Sequence, residues 1–420
     1  MNNEIGRKLT SLTLMTIMLA GGMVIAAPSM VPEAAAAGQL YVSAENATFG
    51  NTFGGGQIVE IIVRDPNQSD TDAFESMPTV ELNGDTVIMT QGADGYWYAY
   101  VADTDGVSDL DNAGTHAYGV DYGTDGATTG TVYSGSGAEN LYKSVTIIGG
   151  APEMSAMSAT NHGQIGILVA NIAEWPVLQT YDLSVGDTEI VLEQAGSDEV
   201  VVLDYSSLED FSGIEIDRTT APQGAEVHLT ITDGQLNIDP TSEEEVIFNY
   251  STGAVKYALT TKTDMSTANG CDDNCTLLIN FAANGVTVLE NINTLDDTSA
   301  VANELHFTET SANSGVWSNT DDADDASLNI VEAAVRGTTA TIDYNDSAQS
   351  LVVAHDFATI DLDESSVGDE WNSGESMTIV LNDQDLNLNT ASDEALSLSG
   401  GTLVPSMQIG SPLSLTDDSD

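Results

Sequence analysis

Gly374 to Asn389 reads GESMTIVLNDQDLNLN and repeats an earlier stretch, Gly224 to Asp239, which reads GAEVHLTITDGQLNID 150 residues upstream. A weaker third copy begins at Gly56 and keeps the alternation of apolar and polar residues that is typical of a half-buried strand. A repeat of this length predicts an array of similar modules, so function has to be argued from the array. The positions that match without a gap are Gly224, Val227, Leu229, Ile231, Asp233, Leu236 and Asn237 with Gly374, Met377, Ile379, Leu381, Asp383, Leu386 and Asn387.

Short apolar runs separated by Gly, Asp and Asn turns surround these copies. Asn83-Gly84 lies between two such runs and predicts a tight β-hairpin. Tyr96 to Val101 is an aromatic strand suited to a sandwich core. No stretch of the first module has helical periodicity over a useful length, so the sequence predicts an all-β chain of antiparallel sandwiches or barrels.

The first 37 residues have the features of an export signal. Arg7 and Lys8 precede an apolar run from Leu12 to Ala27, and Ala34 to Ala37 supply small residues for cleavage. A membrane anchor would need about 20 apolar residues, whereas Pro28 and Pro32 end this run early. We therefore predict an exported protein whose mature chain, as given, has no membrane span.

The remainder is divided by its repeats. We expect a first β-sandwich domain over residues 38–150, a small or partial β unit over 151–207, a second full sandwich over 208–356 and the start of a further sandwich over 357–420. The unit at 151–207 is either a separate small domain or the second half of a larger one. The last unit is much shorter than its predecessor, so we expect it to be incomplete and the sequence to be a piece of a longer protein.

The charge is the dominant feature of the composition. The chain has 66 Asp and Glu against 8 Lys and Arg, a formal net charge of −58. Such a surface excludes nucleic acid as a partner, disfavours anionic membranes and attracts cations. One interpretation is solubility in a saline medium. The other is that acidic walls select cations, which requires narrow paths because the screening length is about 8 Å at 0.15 M salt and about 3 Å at 1 M.

The chain resembles the surface-layer (S-layer) proteins of ammonia-oxidising archaea. The resemblance rests on the signal segment from Ile5, the mature start LYVSAEN at Leu40 to Asn46, the YWYAY strand and the Asp-x-x-Leu-Asn repeats. It implies tandem immunoglobulin-like β-sandwich domains and an extracellular, self-associating hexagonal lattice whose pores pass small cations such as ammonium. This chain lacks the C-terminal portion of that family, which leaves anchoring and some lattice contacts open.

Clustered oxygen donors follow the repeated strand and predict calcium sites. Calcium takes six to eight oxygen ligands in irregular geometry, so alternating Asp and Asn suit it better than zinc or copper. The alternative is an Asx-rich turn formed for local hydrogen-bonding reasons. The first module offers only the weaker set of Asp65, Asn67, Asp70 and Asp72. The candidate ligands are Asp233, Asn237, Asp239, Asp383, Asp385, Asn387 and Asn389.

Two further acidic stretches are weaker candidates. Asp103 to Asp111 carries alternating donors but does not match the EF-hand pattern, and we predict a solvated hairpin loop there. Asp321 to Asp325 is predicted to be a repulsive surface segment.

Cys271 and Cys275 are the two cysteines, and an exported chain favours a local disulfide between them. Two thiols with no nearby histidine make a poor zinc site. Five Asn-x-Ser/Thr sequons are candidate glycosylation sites once the chain is exported. They are Asn46, Asn67, Asn249, Asn274 and Asn345.

No catalytic pattern is present in the sequence. The five histidines are scattered without metal-ligand spacing, and neither a nucleophile elbow nor a phosphate-binding Gly-rich loop occurs. We therefore predict a non-enzymatic structural subunit of an acidic, porous S-layer. The alternative is a cell-surface adhesin or ligand-binding repeat protein.

Overall fold

The computed structural model describes residues 39–69, 76–92, 94–111, 137–138, 140–142, 168–169, 172–173, 178–250, 252, 255–257, 275–280, 282–283, 286–291, 304–362 and 378–394. The predicted signal segment, residues 1–37, lies outside these residues. Of the residues that the structure describes, none forms a helix with the length and apolarity needed to cross a bilayer. The described residues are almost entirely β, as predicted, and form a series of sandwiches.

The first sandwich packs two sheets, with the strand orders β1-β3-β7-β11-β8 and β2-β13-β12-β4-β5, and β6 pairs with β7 beside the first path. Most pairs are antiparallel, whereas β7–β11 and β2–β13 are parallel. The strands, with the small hairpin β9–β10, are β1 (Leu40–Val42), β2 (Thr52–Phe53), β3 (Val59–Val63), β4 (Val80–Leu82), β5 (Asp85–Val87), β6 (Thr90–Gln91), β7 (Trp97–Asp103), β8 (Asn140–Tyr142), β9 (Leu168–Val169), β10 (Ile172–Ala173), β11 (Leu178–Tyr181), β12 (Gly186–Leu192) and β13 (Glu199–Tyr205).

Residues 178–205 belong to this first sandwich. β11 extends the sheet of β3 and β7, and β12 pairs with both β4 and β13 in the opposite sheet. The sandwich therefore draws strands from both predicted units, 38–150 and 151–207. β12 and β13 are two of the five strands of the second sheet.

The predicted Asn83-Gly84 hairpin is confirmed. β4 and β5 pair antiparallel across it, and both turn residues have positive φ, 50° for Asn83 and 88° for Gly84. A two-residue turn with both central φ angles positive matches the right-handed twist of the flanking strands. The Asn83-Gly84 dipeptide between two apolar runs is therefore sufficient to predict this hairpin.

The prediction of a solvated hairpin loop at Asp103 to Asp111 is wrong. Thr104–Asp111 is a helix, α1. Asp103 is buried and accepts hydrogen bonds from Gly106 N at 2.8 Å and Leu183 N at 2.9 Å. Val107 and Leu110 are fully buried on one face, three residues apart. A single apolar pair at positions i and i+3, surrounded by acidic residues, is too short a pattern to predict a helix.

The second sandwich packs a six-stranded sheet, β14-β16-β24-β23-β17-β18, against a four-stranded sheet, β15-β27-β26-β19. Two smaller pairs, β20–β21 and β22–β25, accompany it. Its strands are β14 (Gly213–Ile216), β15 (Thr220–Ala221), β16 (Leu229–Thr232), β17 (Glu245–Asn249), β18 (Val255–Tyr257), β19 (Leu277–Asn280), β20 (Ala282–Ala283), β21 (Val286–Thr287), β22 (Leu289–Asn291), β23 (Glu304–Glu309), β24 (Val316–Ser318), β25 (Leu328–Ile330), β26 (Thr339–Tyr344) and β27 (Ser347–Val353).

The core of the second sandwich is aromatic. Phe248 contacts Phe307 edge-to-face at 5.6 Å between ring centroids and Tyr344 at 5.9 Å, and Trp317 is fully buried. Edge-to-face ring pairs stabilise a core by about 0.5–1.5 kcal/mol each beyond the apolar area that they bury. The Phe248–Tyr344 pair connects the two sheets, since Phe248 lies in β17 and Tyr344 in β26.

The last module contributes β28 (Thr359–Leu362) and β29 (Ile379–Asn382) to the described residues. They pair antiparallel, as β14 and β16 do one repeat earlier. Ile360 is 65% exposed, whereas Ile214, at the equivalent place in β14, is 3% exposed. The difference arises because β14 and β16 are covered by the rest of the second sandwich, and the described residues contain no such cover for β28.

Candidate functional site

The two predicted calcium loops share one backbone conformation. A 3₁₀-helix follows each repeated strand, Gly234–Leu236 after β16 and Gln384–Leu386 after β29. The preceding aspartate caps each helix: Asp233 Oδ1 accepts from Gln235 N at 2.8 Å, and Asp383 Oδ1 accepts from Asp385 N at 3.1 Å. Both aspartates therefore form Asx turns, the local alternative to calcium binding.

A third Asx turn occurs in the first module, where Asn67 N donates to Asp65 Oδ1 at 2.8 Å. The repeat identified in the sequence is thus a repeat of geometry, namely a strand followed by an aspartate that caps the next turn. Of the other weak candidates in that module, Asp70 and Asp72 lie outside the described residues.

Asp233 is completely buried and serves the core. Its Oδ2 accepts from the Tyr344 hydroxyl at 2.5 Å, and its carbonyl oxygen accepts from Trp317 Nε1 at 3.1 Å. Burial raises the pKa of its carboxyl to about 6, although the hydrogen bonds from Tyr344 and Gln235 oppose the shift. The aspartate that the sequence suggests as a metal ligand is therefore a polar link between β16 and two core aromatics.

Each loop is also capped by a glutamate that the sequence analysis missed. Glu244 accepts from Ile238 N at 3.1 Å and Asp239 N at 2.9 Å. Glu394 accepts from Leu388 N at 2.7 Å and Asn389 N at 3.1 Å. The two glutamates are 150 residues apart, so the repeat extends five residues beyond the aligned stretch.

The remaining candidate ligands are also engaged in hydrogen bonds within the protein. Asp239 Oδ1 accepts from both the backbone N and the hydroxyl of Thr241, at 2.9 and 2.6 Å. Asn237 Nδ2 donates to Asn313 Oδ1 at 3.1 Å, while the buried Asn237 Oδ1 has no partner among the described residues. Across the described ranges, no three His, Cys, Asp or Glu side chains come together as a metal-binding group.

In the last module the loop touches the second sandwich. Asp385 Oδ2 is 3.0 Å from His355 Nδ1, and Asp385 Oδ1 accepts from Asp356 N at 2.8 Å. Asn389 is buried, and its Oδ1 lies 3.0 Å from His228 Nε2. These two predicted ligands therefore serve contacts between modules.

Calcium binding by these loops stays a prediction, and it has a direct test. If the loops bind calcium, the thermal midpoint is higher with calcium than with chelator, because an ion that binds only the folded state stabilises it. The Asp383→Ala, Asp385→Ala double variant should lose that increase. His355→Ala is the matched control, since it breaks the Asp385 contact but keeps every oxygen donor. An unchanged calcium effect in the double variant places the ion elsewhere.

Buried carboxylates cluster beside the first of these loops. Glu244 and Glu309 are 1% and 2% exposed. Burial, and then the Glu309 charge, raise the pKa of Glu244. Burial raises the pKa of Glu309 to about 7, against hydrogen bonds from Gly315 and Ser314. Glu60, from the first sandwich, also has a raised pKa, because it is partly buried and is repelled by the Asp239 charge.

A cavity of about 30 Å³ lies between the two sandwiches. Polar side chains such as Asn237 and Asn313 line it together with apolar ones such as Phe49, Phe53 and Ile58. Its volume is enough for one water molecule.

The other predicted positions are only partly described. Cys275 is buried and disulfide-bonded, with its sulfur 3.7 Å from Asp233 Oδ2, whereas Cys271 lies outside the described residues. Asn67 is exposed. Asn345 Nδ2, the atom that a glycan would join, donates to the Ser212 hydroxyl at 3.2 Å. Asn46 and Asn249 are half-buried, and Asn274 is not among the described residues. Asp321 to Asp325 form a largely exposed turn.

No protein-family model and no curated protein matches the chain. Among solved structures, the chain is similar to FdeC, an Escherichia coli adhesin, with 11% sequence identity and a TM-score of 0.15 over 84% of this chain and 76% of that one. At this identity and TM-score the likeness assigns neither family nor function.

Proposed function

We propose that this chain is a structural subunit of an acidic, porous S-layer at the cell surface, and that it passes or enriches small cations such as ammonium. The observation that carries the proposal is the serial arrangement of similar sandwiches in a chain with 66 acidic and 8 basic residues. Tandem sandwiches provide a stiff scaffold. Because acidic residues far outnumber basic ones, the surface attracts cations. Mutual repulsion also keeps unassembled molecules soluble and apart.

Exposed acidic residues support such a field. Asp321 to Asp325 form a largely exposed turn, and Asp187 and Glu189 are exposed on β12. Narrow paths between neighbouring subunits would bring such surfaces within about one screening length of each other, which is the condition for ion selection.

Self-assembly tests the proposal. Purified, signal-free protein with calcium is expected to form ordered two-dimensional sheets, hexagonal in projection, that are visible by electron microscopy. Cation enrichment in those sheets should fall steeply as added salt shortens the screening length. Monodisperse monomers by light scattering, across a wide range of calcium and protein concentration, would contradict the lattice function and favour the adhesin alternative. Enrichment that is insensitive to salt would indicate specific binding sites instead of a field.

A further inference from the structure

The two boundaries between modules use the same backbone hydrogen bond. Ile58 N of the first sandwich donates to Ile238 O of the second at 2.9 Å, and Glu226 N of the second donates to Leu388 O of the last module at 2.7 Å. Ile58 and Glu226 occupy the same position in their copies of the repeat, two residues after the opening glycine. Ile238 and Leu388 also occupy one position, five residues after the capping aspartate.

A side-chain donor reinforces each boundary. Gln57 Nε2 donates to Asn237 O at 3.0 Å, and Arg218 Nη1 donates to Asn387 O at 2.7 Å. Arg218 Nη2 also donates to Leu388 O at 3.0 Å. The asparagine carbonyls that accept these bonds match each other in the repeat. Gln57 Nε2 also donates to Gly234 O at 2.5 Å. In both cases the donors come from the earlier module, and the acceptors include two successive carbonyls of the later one.

The internal capping of the loop explains why carbonyls face the neighbour. Asp233 and Asp383 bind N–H groups at the start of the turn, and Glu244 and Glu394 bind those at its end. The loop thus uses its own N–H groups, leaving the carbonyls of the Asn-Ile or Asn-Leu pair to find donors outside. At the first boundary Asn237 and Ile238 are buried, and buried backbone groups must be paired, so the donors of the preceding module satisfy their carbonyls.

Apolar packing accompanies both contacts. Ile58 and Ile238 belong to a single buried cluster that continues from the second sandwich into the first. Leu388 packs, partly buried, against the same cluster. The boundary is therefore a packed contact as well as a hydrogen-bonded one, which is what restricts two modules to one relative orientation.

We propose that the repeated Asp-x-x-Leu-Asn-x loop, with its capping glutamate, is the docking element of this array. Its partner is the preceding module of the same chain, recognised through the backbone N–H two residues after the opening glycine and a nearby side-chain donor. Each copy thus performs two tasks, since its strand builds its own sandwich and its loop fixes that sandwich to the previous one. The proposal does not depend on the lattice function, because any surface array of these modules would use the same joint.

Amide hydrogen exchange on the full chain tests the second joint. The amide of Glu226 is expected to be protected in the unchanged protein, and Arg218→Ala should speed its exchange about tenfold or more. Arg336→Ala is the matched control, because Arg336 is an exposed arginine of the same module and its removal changes the net charge equally. Equal exchange of Glu226 in the unchanged protein and in Arg218→Ala would overturn the proposal, as would an unprotected amide in the unchanged protein.

A variant with a swapped loop sequence tests whether docking depends on the repeated backbone geometry or on individual side chains. Residues 384–388, QDLNL, are replaced by GQLNI from the earlier copy, which keeps the caps and the asparagine carbonyl. Protection of the Glu226 amide should survive within about threefold. Its loss, with unchanged protection inside β23 and β26, would show that docking depends on individual side chains rather than on the repeated loop.

Discussion

Replacing Gly315 by alanine is expected to lower the free energy of unfolding by about 2–4 kcal/mol. Gly315 has φ of +60°, a conformation that costs a residue with a Cβ about 1 kcal/mol or more. The added Cβ would also lie 2.5 Å from the Phe49 ring and 3.2 Å from Gly234 Cα. Phe49 belongs to the first sandwich, so the clash acts across the module boundary.

The geometry around Gly315 leaves little room to relax. Gly315 N donates to Glu309 Oε1 at 2.8 Å, and its carbonyl accepts from Asp233 N at 2.8 Å. Phe49 is held on its other side by Phe211, edge-to-face at 6.2 Å. A shift of the glycine would break two buried hydrogen bonds, and a shift of the ring would disturb the packing between modules.

Gly337→Ala is the control, because Gly337 has φ of +83° but a Cβ there would meet nothing within 4 Å. It should show the conformational cost alone, about 1 kcal/mol. Chemical denaturation of both variants measures the difference. Phe49→Leu in the Gly315→Ala background should recover part of the loss, a coupling that a double-mutant cycle detects. Equal losses at positions 315 and 337 would show that Phe49 does not restrain the glycine.

Local sequence patterns predict individual strands of this fold, but they do not predict which strands pair with each other. Asn83-Gly84, between two apolar runs, predicted the hairpin of β4 and β5. The parallel pairing of β7 with β11 joins residues about 80 positions apart, and no local pattern carries that information. Helix α1 was missed because one buried face of two residues is below what periodicity can register.

The candidate site shows the same limit in chemical terms. The sequence placed oxygen donors correctly at the end of the repeated strand, but oxygens that bind metal also cap turns, and composition does not distinguish the two uses. Extending the alignment by five residues would have found Glu244 and Glu394 as a repeated pair. The docking contacts cannot be predicted from the sequence, because their acceptors are backbone carbonyl oxygens, which every residue possesses.

Stability is expected to rise as the pH falls from 8 to 5, and Glu309 is one of the buried carboxylates that contribute. Burial raises its pKa from 4.5 to about 7, so the folded protein holds this proton more tightly than the unfolded chain does. Its stabilising contribution is complete below about pH 4.5 and is lost as the pH rises through about 7. Asp233 acts in the same direction between 3.8 and about 6.

The magnitude follows from the size of the shift. One pKa unit corresponds to about 1.4 kcal/mol, so Glu309 should add about 2–3 kcal/mol to the free energy of unfolding at pH 5 relative to pH 8. Glu309 Oε2 is buried without a partner among the described residues, and protonation removes the cost of leaving a charge there. The whole-chain charge of −58 favours acidic conditions too, since protonation relieves repulsion in the compact state.

Glu309→Gln separates the local group from the overall charge. The amide keeps Oε1 as the acceptor for Gly315 N and removes the titration, so the variant should lose about 2–3 kcal/mol of the pH 5 to pH 8 difference and gain stability at pH 8. Glu332→Gln removes the same charge from an exposed position and should leave the pH dependence nearly unchanged. Denaturant titrations at half-unit pH steps measure both. If the two variants show the same slope, the pH dependence arises from general repulsion, and the buried carboxylate at the module boundary does not govern it.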